Sequence, residues 1–144
     1  MLVADIMTKK PATINVDDTL SKALTVMGEV GCRHLPVISA DGHVVGVISD
    51  RDCRTAMNSP YVLHEKWQDD QLSRTLRVRT AMSPAPIVTE PGALAIEAAR
   101  LILANHIGCL PVMVGETLVG IVTTSDFLMA FVNMQRNCRA AEQH

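Results

Sequence analysis

Two short segments carry residue types whose spacing can do chemistry: GVISDRD at 46–52 and GIVTTSD at 120–126. Each reads glycine, two aliphatics, a hydroxyl residue, two variable positions and an aspartate. A strand ending at Ser49 or Thr123, followed directly by a helix, sets hydroxyl and carboxylate one turn apart at the helix N-terminus. Two chemistries fit that placement. The hydroxyl can accept from the N3 amide while Asp52 or Asp126 reaches back to the N-cap amide, a capping box worth about 1 kcal/mol without any ligand. Alternatively, the two carboxylate oxygens can take both donors of a vicinal diol such as a ribose, in bonds that charge strengthens. One copy alone favours the cap. The same pattern written twice, with the same aliphatic lead, keeps both readings open.

The repetition extends well beyond these segments. Val3, Met7, Pro11 and Ala23 recur 75 positions later as Val78, Met82, Pro86 and Ala98, and Leu35-Pro36-Val37 recurs as Leu110-Pro111-Val112. From Val45-Gly46 to Val119-Gly120 the offset is 74, so one residue is lost where a turn can absorb it. Each copy predicts an extended piece (12–16; 86–89), then a helix. In the first copy Leu20, Ala23, Leu24, Met27 and Val30 keep helical spacing, with Asp17, Asp18 and Thr19 as start signals and Gly31 as a stop. Leu94, Ala98, Leu101 and Ile102 do the same in the second, with Gly108 after the end. A hairpin follows around Asp41-Gly42 or Gly115-Glu116, and a closing helix near 51–58 or 125–134. The expected fold class is α/β (α+β): each unit a small three-stranded sheet packed with two helices, the units related by a pseudo-twofold. The expected boundaries are 1–58, a linker at 59–76 read as a connector, 77–134, and a C-terminal tail at 135–144.

Composition narrows the function. Of 144 residues, 48% are hydrophobic and 19% charged, which excludes a disordered chain, and the 3% aromatic content leaves an aliphatic core with little for base stacking. A net charge of −2 argues against nucleic acid as a partner. No apolar run reaches the ~18 residues of a membrane span, and the start has the wrong order for a secretory signal. Cys32, Cys53, Cys109 and Cys138 form no C-x-x-C pair and read as reduced thiols of a cytoplasmic protein, with no metal site. Phosphate-loop, dinucleotide-fold and nucleophile-elbow motifs are missing from the sequence, so no catalytic residues are assigned.

The ordered set IMTKKP, RHLPVISADGHVVGVISDRD and GCLPVMVGETLVGIVTTSD resembles a tandem pair of CBS domains, the Bateman module, over nearly the whole chain. The resemblance implies a non-catalytic regulatory module that binds adenosine-containing ligands between its two copies. AMP, ADP or ATP come ahead of S-adenosylmethionine or NAD, and no cofactor is required. It further implies that Asp52 and Asp126 hold ribose hydroxyls with Ser49 and Thr123 beside them. One cleft would combine Thr8, Cys32, Arg33 and His34 with Thr123 and Asp126; the other would combine Ser83, Ile107 and Gly108 with Ser49 and Asp52. Lys9, Lys10, Arg33 and His34 would then make the Asp126 cleft the phosphate-preferring one, unless Arg51 and Arg54 compensate. A homodimer of CBS pairs and an unknown protein target acting in trans complete the expectation. The alternative is a CBS-fold interaction or scaffold protein whose Ser49/Asp52 and Thr123/Asp126 pairs are ordinary caps.

Overall fold

Local stop and start signals in the sequence set the bounds of the longer helices. The computed structural model describes residues 1–58 and 66–143. In chain order the elements of the first half are α1 (Val3–Ile6), β1 (Thr8–Lys9), β2 (Ile14–Asn15), α2 (Leu20–Val30), β3 (His34–Ile38), β4 (Val44–Ser49) and α3 (Asp50–Met57). The second half contains α4 (Lys66–Thr75), α5 (Val78–Ala81), β5 (Ser83–Pro84), α6 (Ala95–Asn105), β6 (Cys109–Val114), β7 (Thr117–Thr123) and α7 (Thr124–Glu142). Thr19 caps α2 by accepting from the Lys22 amide at 3.2 Å, and Gly31 ends it in the left-handed region (φ 77°), as its spacing predicts. In the second copy the stop comes earlier than Gly108: His106 takes the left-handed conformation (φ 53°), at the position corresponding to Gly31.

The compact units do not follow the repeat boundaries. One comprises Pro11–Pro86 and the other joins Met1–Lys10 to Ile87–His144; they are called here the Asp52 and Asp126 units. Each repeat therefore gives its lead to the other repeat, through matching bonds. The Val3 amide donates to Ala93 O (2.9 Å) and the Ala95 amide to Met1 O (3.0 Å). Seventy-five positions on, Val78 donates to Asp18 O (2.8 Å), and Leu20 donates to Leu76 O (3.0 Å). Val3 is fully buried in the core of Ala98, Ile102, Leu110, Val112 and Val122, and Val78 in that of Leu20, Leu35, Val37, Ile48 and Cys53.

The donated leads also extend the sheets. The Asp126 unit has the strand order β1-β7-β6 and the Asp52 unit β2-β3-β4-β5, a fourth strand beyond the expected three. The extended piece at 86–89 shrinks to a single parallel bridge, Thr89 with Val112. Within the expected linker, Lys66–Thr75 forms α4, packed against α2 and α3, while 59–65 lies outside the described residues. The expected tail is instead helix, since α7 runs on to Glu142 through strong helix formers with no Gly or Pro to stop it.

The motif glycines have a steric reason. A Cβ on Gly46 would stand 2.8 Å from both Met82 Sδ and Ser83 O; one on Gly120 would stand 2.7 Å from Met7 Sδ and 2.9 Å from Thr8 O. Only a bare Cα lets the donated strand pair here. Gly46→Ala and Gly120→Ala should each lower stability by about 1–3 kcal/mol in urea unfolding. Gly28→Ala, inside α2 with open space where its Cβ would stand, should instead raise it by about 0.5–1 kcal/mol.

Candidate functional site

The hairpin of each unit brings the start of its first strand level with the end of its second. In the Asp52 unit His34 is the register partner of Ser49, and the Asp50 amide donates to Arg33 O at 3.1 Å. β5 pairs on the other side of β4, with Ser83 opposite Val47 and Pro84 opposite Gly46. The N-terminal ends of β3, β5 and α3 therefore gather at one end of the sheet. The Asp126 unit repeats the plan: Cys109 is opposite Thr123, the Thr124 amide donates to Gly108 O at 3.1 Å, and Thr8 pairs with Ile121 and Lys9 with Gly120.

The sequence-expected residues are thus regrouped. Thr8 joins the unit of Thr123 and Asp126, and Ser83 that of Ser49 and Asp52. Cys32, Arg33 and His34, expected beside Asp126, are tied by the β3–β4 hairpin to the Asp52 unit. Ile107 and Gly108, expected beside Asp52, are tied by the β6–β7 hairpin to the Asp126 unit. The reason is elementary: an antiparallel hairpin must set its first residue against its last. The cations divide accordingly, with Lys9 and Lys10 on one unit and exposed Arg33, Arg51 and Arg54 with half-buried His34 on the other.

Both aspartates act as caps. Asp52 Oδ2 accepts from the Ser49 amide at 2.9 Å, and Ser49 Oγ accepts from the Asp52 amide at 3.0 Å. Asp126 Oδ2 accepts from the Thr123 amide at 2.8 Å and from the Thr123 hydroxyl at 3.3 Å. In each case the bonds fall on Oδ2, and Oδ1 has no hydrogen-bond partner among the described residues. Each half-buried carboxylate is therefore oriented by its own backbone with acceptor capacity to spare. Among the described residues no group of three or more His, Cys, Asp or Glu side chains could hold a metal ion.

Two features of this region were not legible beforehand. Lys10 and Ala85, equivalent positions just past β1 and β5, both have positive φ (47° and 48°), although neither is glycine. Burial holds His34 below its usual pKa of 6.5, against the pull of Asp50 and Asp52, with Arg33 adding to the depression. Burial also pushes the Cys53 thiol up to about 11, reinforced by Asp52 and Asp50, so it stays protonated and unreactive.

A depressed His34 means that the unfolded chain binds its proton first as the pH falls. Stability is present at neutral pH and is lost as acidification proceeds through 6.5 and below. His34→Gln should flatten the fall in melting temperature between about pH 7 and pH 5. In native protein, a thiol reagent should modify exposed Cys138 readily and leave buried Cys53 untouched until urea is added.

Comparison with known proteins agrees with this architecture. The family model for the CBS domain matches residues 3–59 and again 78–133. The chain is 36% identical over 129 residues to a CBS domain-containing protein of Dictyostelium discoideum, covering 89% of each. It is 30% identical over 124 residues to inosine-5'-monophosphate dehydrogenase of Mycobacterium tuberculosis, covering 85% of this chain but 21% of the enzyme. Among solved structures, CBSX2 in complex with AMP superposes with a TM-score of 0.73 at 27% identity, covering 93% of this chain and 98% of that one. The CBS domain pair of protein MJ0100 has a TM-score of 0.78 at 22% identity, over 93% and 98% of the two chains, a likeness of fold. With the repeat, the exchanged leads and the paired S/T-x-x-D caps already in place, the match over both halves makes this chain a member of the CBS domain family, carrying two such domains in tandem.

Proposed function

We propose that this protein is a non-catalytic regulatory module that binds adenine nucleotides of the AMP, ADP and ATP class, with Asp52 and Asp126 each receiving the hydroxyls of a ribose. The observation that carries the reading is the twice-built carboxylate at the end of a sheet, fixed through Oδ2 with Oδ1 uncommitted among the described residues. The solved likeness to an AMP complex supports the ligand class. Ser49 and Thr123 stand beside the sugar in this reading, with Ser83 and Thr8 on the neighbouring edge strands. S-adenosylmethionine and NAD rank behind the nucleotides. The module would work in the cytoplasm as a homodimer and report occupancy to a protein target in trans, the ligand favouring one arrangement of the module over another.

The regrouped cations change which site should prefer phosphates. Arg33, Arg51 and His34 accompany Asp52, so the more highly phosphorylated nucleotides belong to that unit, while Lys9 and Lys10 serve Asp126. A second reading has one observation in its favour: both aspartates are already engaged as caps, which a scaffold with no small-molecule ligand would also show.

Calorimetric titration of AMP, ADP and ATP separates the two. Asn keeps an acceptor for the cap but removes the charge, so Asp52→Asn and Asp126→Asn should each weaken one site about tenfold or more without unfolding the chain. Asp52→Asn and Arg33→Ala should cost ATP more affinity than Asp126→Asn does. In thermal melts, a ligand at 100 times its Kd should stabilise the wild type by about 2.7 kcal/mol. No heat and no shift with any adenine nucleotide would leave the scaffold reading standing.

A further inference from the structure

Met7 and Met82 occupy equivalent places 75 positions apart. Each closes a four-residue helix, its amide donating at 2.9 Å to Val3 O or Val78 O. Each also turns its thioether sulfur into the space where a glycine lacks a side chain. Met7 Sδ lies 2.7 Å from where a Gly120 Cβ would stand, and Met82 Sδ 2.8 Å from where a Gly46 Cβ would. Both side chains pack on the core of their own unit, yet both are half-buried rather than sealed. The strands that follow are weakly held. β1 and β5 are two residues long, and just past them Lys10 and Ala85 take left-handed φ of 47° and 48°. Such a conformation in a residue other than glycine persists only while its surroundings impose it.

We propose that Met7 and Met82 are a matched pair of oxidation-sensitive latches, each releasing its lead when a hydroperoxide converts the thioether to the sulfoxide. The sulfur lone pair forms the new S–O bond as the peroxide O–O bond breaks. The other oxygen leaves with that electron pair and the hydroperoxide proton, as water or an alcohol, so sulfur is oxidised and the peroxide reduced. The product carries a polar oxygen on an atom packed between a glycine backbone and an aliphatic core. Keeping the side chain there buries that oxygen without a partner, and turning it out empties the space over the glycine. Either way β1 or β5 loses its seat, and the edge of β7 or β4 is freed. A thiol-driven methionine sulfoxide reductase restores the thioether. The latch works independently of nucleotide binding.

Hydrogen peroxide treatment of the full chain tests it, read by peptide mass spectrometry, urea unfolding and amide exchange. In the native protein Met7 and Met82 should oxidise while Met27, at 3% exposure, stays reduced. The urea midpoint should fall as the two sulfoxides accumulate. The Met7, Lys10, Met82 and Ala85 amides, all bonded to backbone carbonyls, should exchange at least about tenfold faster. The double variant Met7→Leu/Met82→Leu keeps an apolar side chain of similar volume and removes both sulfurs. It should hold its midpoint through the same treatment, although exposed Met1, Met129 and Met134 still oxidise. If the double variant does not fold, Met7→Leu and Met82→Leu singly should each protect the exchange of their own lead. Three results would overturn the proposal: native Met7 and Met82 that resist peroxide, sulfoxides there that leave midpoint and exchange unchanged, or leucine variants that lose as much as the wild type.

Discussion

The structure depends on two close backbone approaches, where a donated lead lies across a glycine. Met82-Ser83 crosses Gly46 and Met7-Thr8 crosses Gly120, at separations that would put a Cβ under 3.0 Å from a carbonyl oxygen. Without them β1 and β5 have no seat, Val3 and Val78 leave their cores, and the sheet edge beside each hydroxyl-carboxylate pair is gone. The exchange makes each unit depend on residues from both ends of its sequence. Its matching hydrogen bonds, 75 positions apart, show that one solution is used twice.

On that frame the carboxylates cap their helices, and in the proposed reading the same side chains would also receive a sugar. Capping consumes one oxygen of Asp52 or Asp126 and holds the other in a fixed direction, so little conformational freedom remains to be lost when a ligand arrives. The caps are not identical. Ser49 accepts from the Asp52 amide, whereas the Thr123 hydroxyl donates to the Asp126 carboxylate itself. One Asp126 oxygen thus carries two donors, and a diol would meet a carboxylate whose charge is already partly drawn. In the proposed reading, this difference and the arginines on the other unit would give the two sites unequal chemistry.

Much of this was legible in the sequence because periodicity and punctuation agree. The Leu20–Val30 helix with Thr19 and Gly31, both hairpins, and the caps follow from local rules. The repeat exposes the tandem architecture. The lead exchange was legible only in part: the CBS resemblance paired Thr8 with Asp126 and Ser83 with Asp52, but nothing local placed Arg33, which the antiparallel register carries to Asp52. The role of Gly46 and Gly120 also stayed hidden, since a glycine inside a strand looks like a weakness until the crossing backbone is seen. His106 escaped notice because a histidine stands where the first copy has Gly31, and α7 overran its boundary because polar residues hide helix formers.

The central claim is that Asp52 and Asp126, held by their own caps, receive the sugar of an adenine nucleotide. The most direct measurement is amide NMR of the intact chain during an AMP titration. The Ser49 and Thr123 amides donate to those carboxylates, so their proton shifts report any change in carboxylate bonding. The account predicts saturable movement of both, together with residues of β5 and β1. Saturating AMP that leaves both amides in place, or that moves only residues remote from either cap, would contradict it.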